Sequence, residues 1–488
     1  MLQFNASALN LCHQISHMRA LSILAITLFY FLQGAYAQLR LPAVISSGMV
    51  LQQNDSATFW GWGYNGQQVR LSGSWDNSVT TCVVSNIGKW NCKVKTPAAG
   101  GPYTLRIASG GNEIILNDVL IGEVWLCSGQ SNMEWSYNNG AKFIREELPT
   151  CYNRNIRFFQ IPRTASDYPQ DDLRAEWKVC DSNSLKAFSA IGYYFGKKLQ
   201  QELDVPIGLI NSSWGGTPAE TWTPAPVIEA DATLKQAASQ LQEVPWGPVK
   251  PGLLYNGMIA PITRFSIAGA IWYQGEANVG TNSTYSELFK TMINTWRGKW
   301  GRELPFYFVQ IAPYKYGNKN VGALLMEQQA KTLSVPRTGM IVITDLIDSV
   351  TNIHPSNKRD PGNRLANWAL AETYHRIPGP YKSPMLKAAE PVKDKLILTF
   401  DFVPTGLMAR DRNVTGFFIS GADENWLPAD AKIDGDKIIL SNKALKQPLH
   451  ARYGFSNILI GNVFSKEGLP LCPFRTDSWP VDQGPEKN

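Results

Sequence analysis

Histidine is scarce in this sequence. There are five in 488 residues, and only His354, His375 and His450 lie beyond residue 37. With so few imidazoles, no His-Glu-x-x-His segment and no cysteine cluster, a catalytic zinc site has no donor set. A basic block is also missing. The formal net charge is +6, but Lys and Arg are spread along the chain, which removes the electrostatic footprint of a nucleic-acid binder. Beyond the N-terminus no apolar run approaches the roughly 20 residues that a membrane-spanning helix needs. Internal repeats, low-complexity tracts and long charged linkers are absent too, which leaves an ordinary globular composition.

The 44% hydrophobic content is enough for about three packed domains in a chain of this length. At the N-terminus, Met18-Arg19 followed by the apolar stretch Leu21 to Leu32 and then Ala35-Tyr36-Ala37 predicts a secretory signal peptide over residues 1–37, with translation starting at Met18. The mature chain is then expected to be exported, to a periplasmic or extracellular compartment. Six cysteines remain there, Cys82, Cys92, Cys127, Cys151, Cys180 and Cys472, in surroundings that permit disulfides. Cys82 and Cys92 flank the turn Asn86-Ile87-Gly88 and are the first expected pair; Cys151 with Cys180 is the second.

Residues 38–118 carry short alternating apolar runs, such as Ala57 to Trp62 and Tyr103 to Ile107, punctuated by Gly, Asn and Pro. That texture predicts a small β-sandwich. Over 119–385 it changes to apolar strands followed by amphipathic helices. The strands are Ile207 to Asn211, Ala268 to Tyr273, Pro305 to Gln310 and Gly339 to Thr344; the helices are Ala187 to Glu202, Tyr285 to Trp300, Leu324 to Ser334 and Asn363 to Tyr374. Strands alternating with helices predict an α/β domain with a mainly parallel sheet, whose site opens at the carboxyl ends of the strands. Residues 386–488 return to strand texture and are expected to form a C-terminal β module.

The apolar run Val119 to Leu126 leads into Ser128-Gly129-Gln130-Ser131-Asn132-Met133-Glu134, so Ser131 falls where a buried strand turns into a helix. A hydroxyl presented there can act as a nucleophile beside unpaired N–H groups. The same residues also fit a capping box, with Ser131 as N-cap and Glu134 as its partner. A nucleophilic serine needs a base. His375 closes a helix and His450 sits between strands of the last module, whereas His354 follows the strand Gly339 to Thr344 and so belongs to a loop at the same sheet edge as Ser131. Two further strand ends open there: Trp214-Gly215-Gly216-Thr217, whose glycines can offer bare N–H groups, and Gln274-Gly275-Glu276, with an amide and a carboxylate.

Together Gly129-Gln130-Ser131-Asn132-Met133, Trp214-Gly215-Gly216-Thr217-Pro218, Trp272-Tyr273-Gln274-Gly275-Glu276, Ile353-His354-Pro355 and the ending Glu467 to Thr476 resemble the sialate O-acetylesterases, a branch of the SGNH hydrolases. The resemblance implies an SGNH-like parallel sheet core flanked by β modules, Ser131 as nucleophile and His354 as base. It implies an oxyanion hole from Ser131 N–H, Gly215 or Gly216 N–H and the Gln274 side chain. No metal or organic cofactor is required. The third triad member departs from the pattern, because the positions three and two before His354 are Thr351 and Asn352, where the superfamily carries Asp. Glu276 is the preferred substitute; Asp348 and a backbone carbonyl in a Ser-His dyad remain open.

The expected partner is an O-acetylated sugar, most readily a sialic acid, whose carboxylate an arginine such as Arg359, Arg364 or Arg410 would meet. An acetyl esterase acting on xylan or another glycan is one alternative. An inactive hydrolase core that only binds carbohydrate is the other, and the 16 tryptophans suit sugar binding in either case.

Overall fold

The computed structural model describes residues 39–376, 379–411 and 413–486, so the leader expected over residues 1–37 lies outside them. Seven strands form the central sheet: β1 (Asn112–Gly129), β2 (Asn153–Gln160), β3 (Trp177–Cys180), β4 (Ile207–Ser213), β5 (Gly269–Tyr273), β6 (Phe306–Val309) and β7 (Thr338–Ile341). They lie in the order β7-β6-β5-β1-β4-β2-β3. Every neighbouring pair is parallel except β2 with β3. This is the α/β core with a mainly parallel sheet that the alternation of apolar strands and helices predicts.

β4, β5 and β6 are buried at every position, as expected for strands covered on both faces. The period of two along β1 shows how both faces are filled. Trp125 and Cys127 enter one apolar cluster with α1 (Ala190–Leu203) and α4 (Arg359–Glu372), while Val124 and Leu126 enter another with α2 (Tyr285–Trp300) and α3 (Val321–Lys331). In the second cluster Trp272 of β5 is fully buried among Trp222, Phe289, Trp296 and Phe306, with ring centroids 5.8–6.4 Å apart.

β1 is 18 residues long and crosses residue 118, the end expected for the N-terminal module, without interruption. Its first half pairs antiparallel with Gly100–Ser109, which pairs in turn with Gln68–Gly73, while Ser56–Trp62 pairs with Lys89–Lys95. Buried Phe59, Val69, Leu71, Trp90, Val94, Leu105 and Ile107 from these strands share one cluster. Glu123, where β1 passes into the core, accepts from Gln52 at 2.9 Å, Gln53 at 2.7 Å and the Tyr374 hydroxyl at 2.8 Å, joining the two regions by charge-assisted bonds. Toward the C-terminus the strands are all antiparallel. Met385–Val392, Lys395–Asp401, Lys437–Ser441 and Asp430–Asp434 form one sheet, and a second centres on Phe417–Ser420 and His450–Tyr453, around a core cluster of its own.

The Cys82–Cys92 disulfide is present. Cys151 and Cys180 are instead free, buried thiols. The register explains the difference: β3 places Cys180 opposite Asn153, two residues past Cys151, and the Cys180 thiol donates to the Cys151 carbonyl at 3.2 Å. Among the described residues no helix is long and apolar enough to cross a membrane.

At the carboxyl end of β1, Gly129 has φ +136°, and a Cβ there would stand 2.1 Å from the Tyr273 carbonyl oxygen of β5. Neither the conformation nor the space admits a side chain. Gly129→Ala should therefore destabilise the protein by about 2 kcal/mol or more, read as a lowered urea midpoint, and should displace the next turn, which carries Ser131. An unchanged midpoint would refute this account of the β1–β5 contact.

Candidate active site

β1, β4 and β5 end level. Gly129 is in register with Ser213 on one side and Tyr273 on the other, so the loops after the three strands emerge together. Gln130 N–H continues the sheet by donating to the Tyr273 carbonyl at 2.9 Å, and the chain then enters one helical turn, Ser131–Glu134. Gln130, not Ser131, is the N-cap, and no side chain caps the turn. The capping box is not formed. Glu134 accepts from Gly215 N–H at 3.0 Å and from Arg163 at 2.6 Å, while the Ser131 hydroxyl meets His354 Nε2 at 2.9 Å.

His354 reaches Ser131 from the loop after β7. Its own N–H donates to Asn352 Oδ1 at 3.0 Å, which closes a local turn, and its ring meets Trp135 edge-on with centroids 4.3 Å apart. Burial, and next the positive charge of Lys358, push the imidazole down to about 4. It is thus neutral at neutral pH, the form that can accept a proton.

Neither carboxylate proposed as a third member touches the ring. Glu276 is buried beside the pair, but its Oε1 accepts from Asn132 Nδ2 at 2.6 Å and its Oε2 has no partner. Burial raises its pKa above the usual carboxylate range. Asp348 accepts from Lys142 at 2.5 Å and from Ser356 N–H at 2.7 Å. Among the described residues no acceptor is hydrogen-bonded to His354 Nδ1, so the geometry is that of a Ser-His pair.

The oxyanion donors divide in the same way. Ser131 N–H has no protein acceptor among the described residues, and Ser131 lines the cleft together with Gly215 and Gly216. Gly215 N–H already serves the Glu134 carboxylate. Gln274 lies outside the cleft, fully buried, donating to Asn278 Oδ1 at 2.7 Å and the Thr217 carbonyl at 3.2 Å and accepting from the Tyr285 hydroxyl at 2.9 Å. It falls two positions after Trp272, and strand alternation carries it to the same face, toward α2. Its neighbour in the first loop, Gln130, does line the cleft and was not singled out by the sequence. Its Oε1 accepts from Gly275 N–H at 3.4 Å and Ala277 N–H at 3.3 Å, tying the nucleophile loop to the Gln-Gly-Glu loop.

The cleft over Ser131 has a volume of about 690 Å³. Trp246, an exposed indole, lies on its wall with Leu241 and Val249. Arg163 is its one lining cation among the described residues, ion-paired with Glu134. Arg359, Arg364 and Arg410 are elsewhere: Arg359 lies over the Phe143 ring, and Arg364 and Arg410 both bind Asp345. A serine hydroxyl hydrogen-bonded to a neutral imidazole in an open cleft is an arrangement suited to acyl transfer.

Comparison with known proteins points the same way. Residues 121–371 match the family described as carbohydrate esterase, sialic acid-specific acetylesterase. The chain is 29% identical over 430 residues to the sialate O-acetylesterase of Homo sapiens, covering 80% of this chain and 82% of that protein. With the Mus musculus sialate O-acetylesterase the identity is 27% over 455 residues, covering 80% and 84%. A carbohydrate acetylesterase from Xanthomonas citri superposes with a TM-score of 0.83 at 37% identity, over 90% of this chain and 100% of that one.

An imidazole held down by burial and in contact with the serine hydroxyl has a testable consequence for the acid side of the pH profile. Protonating His354 removes the proton acceptor, and because its pKa lies near 4, kcat/KM for an acetyl ester should stay level from neutral pH and fall only as the pH approaches about 4. A half-maximal point near 6.5, the value of a free imidazole, would contradict the burial argument.

Proposed function

The chain belongs to the sialic acid-specific acetylesterase family of carbohydrate esterases, hydrolyses O-acetyl esters of sugars, and from that premise we propose that Ser131 is the nucleophile and His354 its base. The observation that carries the reading is the 2.9 Å contact between Ser131 Oγ and His354 Nε2 at the floor of the cleft. Ser131 Oγ attacks the acetyl carbonyl as its proton passes to Nε2. Ser131 N–H receives the developing oxyanion, joined by Gly216 N–H and, once Glu134 swings aside, by Gly215 N–H. The carbon–oxygen bond to the sugar then breaks, and the imidazolium returns the proton to the departing sugar alcohol. Water attacks the acetyl-serine with the same base, releasing acetate and restoring Ser131.

The partner is an O-acetylated sugar, and the family points to sialic acids, whose carboxylate Arg163 could receive. A second reading has specific support. Arg163 already holds Glu134 at 2.6 Å, and the exposed Trp246 offers an apolar face to an uncharged ring, which together suit a neutral acetylated glycan such as xylan. We further propose that the protein is exported, periplasmic or extracellular, since the Cys82–Cys92 disulfide suits an oxidising compartment. We also propose three modules, an N-terminal β module and an α/β core that share β1 across residue 118, and a C-terminal β module over 386–488.

Acetate release from O-acetylated sialic acid and from acetylated xylan, measured side by side, tests the reading. Ser131→Ala should abolish release from the preferred substrate by about 10³-fold or more. Serine-dependent release from sialic acid alone supports the first reading, and release from xylan alone the second. If neither substrate yields serine-dependent acetate, the site binds sugar without turning it over and the proposal fails.

A further inference from the structure

Behind the Ser131–His354 pair the chain buries a lysine, an asparagine and a glutamate that the acyl-transfer steps do not use. Lys358, at the N-terminus of α4, is 1% exposed, and its Nζ donates to Asn132 Oδ1 at 2.6 Å. Asn132, fully buried and adjacent in sequence to Ser131, donates through Nδ2 to Glu276 Oε1 at 2.6 Å and to the Ile353 carbonyl at 3.0 Å. Ile353 immediately precedes His354. The Lys358 ammonium lies 5.1 Å from the ring centroid of Trp135, the indole that meets His354 edge-on, and 5.4 Å from that of Tyr273.

Taking an ammonium and a carboxylate out of water is costly, and apolar residues of the same volume serve stability as well or better. Packing therefore gives no reason to keep the pair here. Its connections give one. A single amide is clamped between the two charges, and that amide holds both the residue next to the nucleophile and the carbonyl next to the base. We propose that Lys358, Asn132 and Glu276 form a buried positioning unit for His354, in which Asn132 fixes the backbone that carries the imidazole and Lys358 sets the electrostatic field upon it. No member of the unit is hydrogen-bonded to the ring; it reaches His354 through the Ile353 carbonyl and through the ammonium charge, whose sign is opposite to that of a triad carboxylate.

The surroundings leave Lys358 as the dominant charge near His354. Asp348 is neutralised by Lys142 and Ser356 N–H, and Glu134 across the cleft by Arg163 and Gly215 N–H. On α4 itself, Arg359 pairs with Asp360. Burial holds the Tyr273 hydroxyl well above its usual range and so uncharged, and raises Glu276 as well. Lys358 is itself pushed down by burial to about 7, opposed by the charges of Glu276 and Asp348, so its field on His354 is present below neutral pH, where the imidazole would otherwise take up a proton.

The inference rests on His354 acting as the base, but its test can be read without substrate. The imidazole of His354 is titrated by NMR in the wild type, in Lys358→Met/Glu276→Gln, which removes both charges together, and in Lys358→Gln. Assignment comes from the signal lost in His354→Ala. The wild-type midpoint is expected well below 6.5, and either variant should move it up by about 1 unit. The acid limb of kcat/KM should follow by the same amount. Asn132→Leu, which keeps both charges and breaks the clamp, should lower kcat by about 10–100-fold with KM little changed. A wild-type midpoint at or above 6.5 overturns the proposal even if no variant folds, and so does an unmoved midpoint in a folded variant. A midpoint that moves in a protein that releases no acetate would instead sink the esterase role of His354 and leave the field of Lys358 standing.

Discussion

The close approach of β1 to β5 at their carboxyl ends is the contact on which the site depends. Gly129 lies against the backbone of Tyr273 with no room for a methyl group, and the strands run in register up to that point. Because β4 is also level there, and Trp214 N–H donates to the Gly129 carbonyl at 3.1 Å, three loops leave the sheet at one height. Gln130 then stitches the first loop to the third through two backbone N–H groups. Ser131, the proposed nucleophile, is thus placed by backbone pairing on both sides, which is stiffer than side-chain packing alone and is the kind of support a reacting hydroxyl needs.

His354 has no comparable scaffold. It comes from the loop after β7, at the far side of the sheet, and is held by one turn hydrogen bond and by Asn132 acting on the preceding carbonyl. That asymmetry explains why a buried polar cluster gathers on the histidine side. The cluster is centred on Asn132, which follows β1, and reaches the His354 loop through the Ile353 carbonyl. On the opposite wall the charges are arranged differently. Glu134 and Arg163 neutralise one another at the cleft surface, where solvent screening makes such a pair worth little in stability. Its consequence lies in occupancy, because the Glu134 carboxylate already accepts from Gly215 N–H, one of the proposed oxyanion donors.

The sequence was most legible where a chemical role coincides with a strand end. The apolar run before Ser131, the strand before Gln274 and the loop position of His354 could all be read from period and punctuation, and the scarcity of histidine singled out His354, which the structure brings to Ser131. What could not be read was the direction of side chains past those ends. Gln274 and Glu276 sit two apart in one motif, yet Gln274 follows the strand face into the α2 side while Glu276, after a glycine at φ +157°, turns under the cleft. Lys358 gave no signal, since a lysine four residues after a loop histidine reads as solvated surface until α4 is seen to bury it. The Cys151–Cys180 expectation failed on register, and strand register across β2 and β3 depends on a bulge between Asn153 and Arg157 that no local pattern marks.

A depressed imidazole needs a reason beyond keeping the base unprotonated. At pH 7 a histidine of ordinary pKa near 6.5 is already about three-quarters neutral, so moving it to about 4 adds little base. The lower pKa also weakens the driving force for taking the serine proton. The balance changes once attack begins. Proton transfer and carbonyl attack create an imidazolium and an oxyanion together, a few ångströms apart, in a partly desolvated cleft where their mutual attraction is stronger than in water. The counter-charge that a resident carboxylate would supply at all times is then supplied by the intermediate itself, only when it forms. A field such as that of Lys358 opposes the imidazolium whenever it forms, so under the proposed scheme the attraction between imidazolium and oxyanion must outweigh it. Under that scheme Lys358 keeps the resting histidine neutral, and the rate depends on how far the imidazolium–oxyanion attraction in the transition state exceeds that opposition.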